Sequence, residues 1–298
     1  MPFRFRPSDD TVEAGFRRIA CETLDGALAL VRERAAPDED LIHQVRRACK
    51  AMRGLLRLVR PAFPAWRTEN AAFRDIGAAL SGTRDRRVLG ETIELLARDA
   101  GDDISPAALA ALRTALTGEA ARTAGRTAAL LDGCAAPLLA ARVRAESWSL
   151  TDHGKAALLP GLRQTYRKAR RAMATLAALD GSPAESAASH EWRKQVKYHW
   201  QHMRLLRSLA PDHAGDRIAP ADRLGDLLGE RHDLDMLLDR IGAQAHALPD
   251  PAAAALLSAL ARKRIARLMR KARRVGEDLF EDKPSAFIRH WHFEDSPA

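Results

Sequence analysis

Cysteine, aromatic side chains and long apolar runs are all scarce in this chain. Its three cysteines (Cys21, Cys49 and Cys134) are odd in number and form no Cys-x-x-Cys pair. That excludes a disulfide framework, argues against a thiolate metal site and fits a reduced cytoplasmic setting. No apolar stretch approaches the roughly 20 residues a membrane helix needs. The first residues, MPFRFRPSDD, carry no apolar segment after their basic positions, as a secretory signal would. Alternating runs of β-branched and aromatic residues are missing, so no strand is expected. There is no P-loop, GxSxG or HExxH, which removes the commonest phosphate-loop, serine-hydrolase and zinc-protease readings. Aromatics make up only 5% of the sequence, and binders of single-stranded nucleic acid usually rely on them as stacking platforms.

What is abundant is Ala, Leu and Arg, all strong helix formers. The chain has 298 residues, with 48 Lys and Arg against 39 Asp and Glu, a formal net charge of +9. Gly and Pro fall where helix punctuation would be, and the pattern predicts helices near 8–31, 38–60, 67–98, 105–132, 156–179, 187–209, 220–245 and 250–280. The expected fold class is all-α, a helical bundle.

The second half echoes the first. HQVRRACKAMRGLLRLVRP, from His43, aligns with HEWRKQVKYHWQHMRLLRS, from His190, at an offset of 147 residues (190 − 43). His43 meets His190, Arg46 meets Arg193, Arg47 meets Lys194, Lys50 meets Lys197, and Arg57 meets Arg204. One residue out of phase, GAALSGTRD (Gly77 to Asp85) aligns with GDLLGERHD (Gly225 to Asp233). Two blocks in one order at nearly one offset indicate a duplication, with halves near 8–135 and 155–292, each a four-helix unit.

On a helix of about 100° per residue, His43, Arg46, Arg47, Lys50, Arg53, Arg57 and Arg60 share one face, opposite Val45, Met52, Leu55 and Leu56. His190, Arg193, Lys194, Lys197, Arg204 and Arg207 do the same in the second block. Segment 43–60 contains no Asp or Glu, and 190–207 contains only Glu191. Like charges at i,i+3 and i,i+4 cost a few tenths of a kcal/mol per pair. A linear polyanion would offset that cost, and Arg and Lys suit phosphate oxygens. The plain alternative is a solvated face with acids supplied by neighbouring helices.

Other basic segments join in. GLRQTYRKARR, from Gly161, places Arg163, Tyr166, Arg167 and Arg170 together. Its counterpart GFRRIACETL, from Gly15, keeps Arg17 but has Ala20, Cys21 and Leu24 where the pattern would continue. Near the end, Lys263, Arg267, Arg270 and Arg274 align in RKRIARLMRKARR, as a solvent face or a ligand contact.

These features together resemble the CHAD family, the conserved-histidine α-helical domains. The likeness rests on a His-opened basic helix present twice, the helix around GLRQTYRKARR and the segment LFEDKPSAF (Leu279 to Phe287). It covers nearly the whole chain and implies a single CHAD domain over 1–298. It also implies two four-helix bundles related by pseudo-twofold symmetry, a basic central groove or channel, and binding of inorganic polyphosphate at cytoplasmic polyphosphate granules. Carried over by position, His43, Arg46, Arg47, Lys50, His190, Arg193, Lys194 and Lys197 would form the core binding set. Arg57, Arg204, Arg17, Arg163, Tyr166, Arg167 and Arg170 would extend it. No catalysis and no cofactor are expected, since the triphosphate-hydrolysing barrel that often accompanies this domain has no counterpart here.

Two alternatives stay open. One is nucleic-acid binding, because phosphates dominate that affinity too. The other is a metal-dependent phosphohydrolase built on His232–Asp233. The duplication disfavours the second, since the matching pair is Arg84–Asp85. Asp85 and Asp233 are expected instead to hold stripe arginines in place. His43 and His190 could donate to phosphate, bind metal, or simply pack. For His199 and His202, which face away from the stripe, packing is the simpler account than metal binding.

Overall fold

The computed structural model describes residues 3–34, 36, 38–80, 84–118, 124–179, 181–182 and 184–291, and among these there is no strand. Among the described residues, eleven α-helices run in order: α1 (Val12–Glu33), α2 (Asp38–Leu58), α3 (Trp66–Ala79), α4 (Arg84–Ala100), α5 (Pro106–Thr117), α6 (Ala124–Ala145), α7 (Gly154–Ala178), α8 (Glu185–Leu206), α9 (Pro211–Ala243), α10 (Pro251–Leu279) and α11 (Pro284–Arg289). The all-α expectation holds. Several starts are locally encoded. Thr11 caps α1 by accepting from the Ala14 amide, and Ser105 and Asp250 cap α5 and α10, each ahead of a proline in the first turn.

Boundaries differ in both directions. The single helix expected over 67–98 is two, α3 and α4, and 105–132 divides between α5 and α6. Conversely, Pro137 and Pro220 fall outside or at the start of the helices that the spacing predicts, yet both lie inside helices, α6 and α9. An interior proline costs about 3 kcal/mol. In α6 the row Leu131, Cys134, Leu138, Ala141 and Ala145, all buried, gives back more than that by packing into the core, while Pro137 faces solvent.

Two hydrophobic clusters fill the interior. The larger joins α1, α2, α3, α6, α7, α8 and α11 with the beginning of α9 and the end of α10. The smaller joins α4 and α5 to the second part of α9 and the first part of α10. Each takes side chains from both the first six helices and the later ones, so core packing joins distant parts of the chain.

The two homologous basic helices, α2 and α8, cross closely at the centre. A Cβ on Gly54 of α2 would stand 1.8 Å from the Gln201 side-chain oxygen of α8. His202, fully buried, donates from Nε2 to the Gly54 carbonyl at 3.0 Å. At the end of α2, a Cβ on Gly161 of α7 would lie 1.8 Å from the Leu58 carbonyl oxygen. Backbone therefore meets backbone there, and no side chain fits between. Gly161→Ala is expected to force α7 off α2 and to lower unfolding stability by about 1–3 kcal/mol, the usual cost of overpacking. Chemical denaturation of wild type and variant measures it.

His199 is also fully buried, boxed by the rings of Tyr166, Phe280 and Phe287. Loss of solvation holds its pKa well below the ordinary value, and the same cause takes His202 down to about 3. Their folded pKa values lie below the unfolded ones. Their contribution to stability is therefore complete above the unfolded pKa and is lost as pH falls beneath it, towards the depressed folded values. Melting temperature should be level above pH 7 and fall from about pH 6.5 downward. His199→Met, the residue the first half carries at the matching Met52, should shallow that fall. An unchanged slope would exclude His199 as its source.

Candidate functional site

The two basic stripes, far apart in sequence, line one cavity of about 1060 Å³. Helix α2 contributes Arg46, Arg47, Lys50 and Arg53, and α8 contributes His190, Arg193, Lys194, Lys197 and Arg204. The α2–α8 crossing described above is what brings them face to face. Further walls come from α1, with Glu22 and Thr23, from α9, with Asp226, Glu230, His232 and Asp233, and from Phe3 and Val88.

Not every expected residue reaches this space. His43 lines a neighbouring hollow of about 260 Å³ with Arg87, Glu91, Glu230 and Asp233. Asp233 stands on the wall between the two spaces. Arg57 turns away: it donates to the Asn70 side-chain oxygen and to the Arg53 carbonyl, and its guanidinium lies 4.1 Å above the Tyr198 ring. Desolvation lowers its pKa. Arg17 is engaged with Glu13 and the Trp148 carbonyl, outside the cavity. The side chain of Asp85 lies outside the described residues.

The basic face expected on α7 is corrected at one position. Tyr166 is buried in the core, stacked on Phe287 at 3.9 Å, with its hydroxyl donating to the Asp282 carbonyl. Helical spacing placed it beside Arg163 and Arg167. The docking of α11 and the turn before it instead covers that edge of α7 and takes the ring as an apolar anchor. Arg170 donates to the carbonyls of Glu281 and Asp282 in the same docking. Arg163 and Arg167 are exposed but off the cavity. Arg167 belongs to a separate cationic group with Arg57, Arg60 and Lys168. In that group burial, then mutual repulsion, lowers the pKa of both Arg60 and Lys168.

Charge selection alone missed other lining residues. Arg53 sits on the stripe, but its repeat partner is Trp200, so the alignment of basic pairs passed over it. Tyr198 and Trp200 also line the cavity. Lys197 and Arg204 lie 5.5 and 4.7 Å from the Trp200 ring centre, within cation–π range. The available signal was the position of these aromatics next to Lys197, in a segment otherwise chosen for its cations.

Apart from Glu191 on α8 itself, acids that the stripes lack arrive from elsewhere in the fold. The stem of Lys197 crosses Gly225, and its ammonium lies 3.1 Å from Asp226 and 3.7 Å from Asp222. Glu191 engages Lys194. Arg46 donates to the Gly77 carbonyl at 2.7 Å, joining the two blocks of the first half. Next to Arg193 and Lys194, His190 contacts the His232 ring at 4.8 Å between centres. Its pKa is lowered by lost solvation and then by those two cations. A bound polyanion would reverse that electrostatic contribution and favour the charged imidazolium. Among the described residues, no group of three or more His, Cys, Asp or Glu is arranged to hold a metal ion.

The Lys197–Asp226 pair means that an incoming anion competes with a carboxylate for this cation. Asp226→Asn is therefore expected to tighten binding of a linear polyanion about two- to fivefold, the range of an exposed ion pair. Titration of a fluorescent polyphosphate followed by anisotropy measures this. Weaker binding would instead make Asp226 a support for Lys197.

No curated protein sequence matches the chain. Among solved structures, the crystal structure of the CHAD domain from the plant Ricinus communis is similar over 98% of this chain and 95% of that one, with a TM-score of 0.55 and 16% sequence identity. That likeness supports the fold. The family model for the CHAD domain matches residues 18–242, three quarters of the chain and both basic stripes, and the protein therefore belongs to the CHAD family.

Proposed function

We propose that this protein binds inorganic polyphosphate in the cavity between α2 and α8, without a chemical step, and does so in the cytoplasm at polyphosphate granules. The observation that carries the proposal is the meeting of two duplicated cationic stripes on one space. Along α8, His190 to Arg204 spans roughly 21 Å at 1.5 Å per residue. That length suits a string of phosphates better than a single anion. Arg46, Arg53, Arg193 and Arg204 offer paired N–H donors, and Lys50, Lys194 and Lys197 offer point charges.

Tyr198 and Trp200 on the wall favour a second reading, single-stranded nucleic acid, whose bases stack on aromatic rings. Each ring, however, already carries a cation against it: Arg57 on Tyr198, and Lys197 and Arg204 near Trp200. The hydrolase reading gains no support from the described residues, among which His232 and Asp233 join no third metal-ligating side chain.

Competition between long-chain polyphosphate and single-stranded DNA or RNA of equal total charge separates these readings. Polyphosphate should win, with affinity falling steeply as salt rises. Arg193→Glu should weaken polyphosphate binding by about tenfold or more, the cost of placing a like charge in the site. Equal competition by nucleic acid would overturn the proposal, as would an Arg193→Glu variant that binds like wild type.

A further inference from the structure

The outer face of α10 carries a second concentration of positive charge that the cavity does not use. Arg262, Lys263, Arg267, Arg270, Lys271 and Arg274 are all exposed. None of the six makes an ion pair or hydrogen bond among the described residues. Arg264, on the same helix, contrasts with them: it is turned inward onto Glu230 and Asp99. Lys263, Arg267, Arg270 and Arg274 fall within about 60° of one another, with Arg262 and Lys271 flanking them. From Arg262 to Arg274 the strip covers about 18 Å. Successive members stand at i,i+3 and i,i+4, so they repel one another along the helix, and acids return only at Glu277 and Asp278.

The strip also lies beyond the family match, which ends at residue 242, whereas α10 begins at Pro251. None of its residues lines the cavity between α2 and α8.

We infer that this face of α10 is a second binding surface for a linear phosphate polyanion, and that its ligand is inorganic polyphosphate. It shares the ligand of the proposed function and not its site. The chemistry of the face selects the ligand. Helix α10 has no aromatic residue, so there is nothing for a nucleobase to stack on. It also exposes no large apolar side chain: the large hydrophobic residues exposed among the described ones are Leu139 and Val143, both on α6. A helix that enters a lipid surface needs such an apolar face, and that of α10 is spent in the two cores. What remains is charge alone, in a line, which suits a chain that is charge alone. Two such surfaces on one molecule would let it join separate polyphosphate chains, or two stretches of one chain.

The test uses the full chain in four forms. These are wild type, a cavity variant (Arg46→Glu with Arg193→Glu), a strip variant (Lys263→Gln, Arg267→Gln, Arg270→Gln, Arg274→Gln), and both combined. Circular dichroism and melting check that each is folded, and the strip positions, being exposed, should leave the fold intact. Binding of long-chain polyphosphate and of duplex DNA is titrated at several salt concentrations. The cavity variant should keep a weaker, salt-sensitive polyphosphate binding. Adding the strip changes should reduce that residue about tenfold and flatten its salt dependence, as fewer counterions are released. If polyphosphate binding by the cavity variant is unmoved by the strip changes, or if only DNA binding responds, the inference is overturned. A wild type that loses binding through the strip variant but not the cavity variant would uphold the inference and sink the cavity reading. A wild type that binds no polyphosphate at all sinks both.

Discussion

Two stretches of like charge are held side by side at the centre of this molecule, and close backbone packing keeps them there. Gly161 lets α7 rest on the end of α2, and Gly54 lets α8 cross α2 with Gln201 pressed against its backbone. The buried His202 then ties the pair by donating to Gly54. Without these contacts, repulsion between the stripes would drive α2 and α8 apart or turn their cations to opposite sides. Apolar packing on the reverse faces, through Met52, Leu55, Val196 and Met203, supplies the attraction that the charged faces lack.

The charge problem is then relieved locally, not removed. Helix α9 lays Asp222 and Asp226 against Lys197, and Glu191 engages Lys194. These are exposed or half-exposed pairs of small individual value. They leave a cavity with a cationic wall on α2 and α8 and an acidic margin on α9. Such a margin lowers affinity for any anion and so raises the charge density a ligand needs to displace it. The aromatic rings of Tyr198 and Trp200 add another partner for the cations, one that does not neutralise them.

How much of this was legible in the sequence follows from how local each signal is. The helical class and the cationic faces of α2 and α8 were legible because each is written in residue spacing. The placement of Tyr166 was not: its ring position on α7 fitted a basic face, and only the docking of Phe287 and Asp282 turned it into core. Arg57 fitted the basic face in the same way but turns aside, because Asn70 and Tyr198, which draw it away, come from α3 and α8. Pro137 and Pro220 misled the boundaries because propensity is counted per residue and burial is not.

The sequence by itself determined which faces are charged, that the charge occurs twice, and which family the chain resembles. A 3.6-residue period and a fixed offset contain that information, since both depend on neighbours along the chain. Only the tertiary structure decided that the two stripes share one space, that His43 faces an adjoining hollow, and that Asp226 opposes Lys197. Those outcomes depend on how helices distant in sequence cross. The crossing is set by the few places where backbones can touch, and its geometry is absent from any single helix.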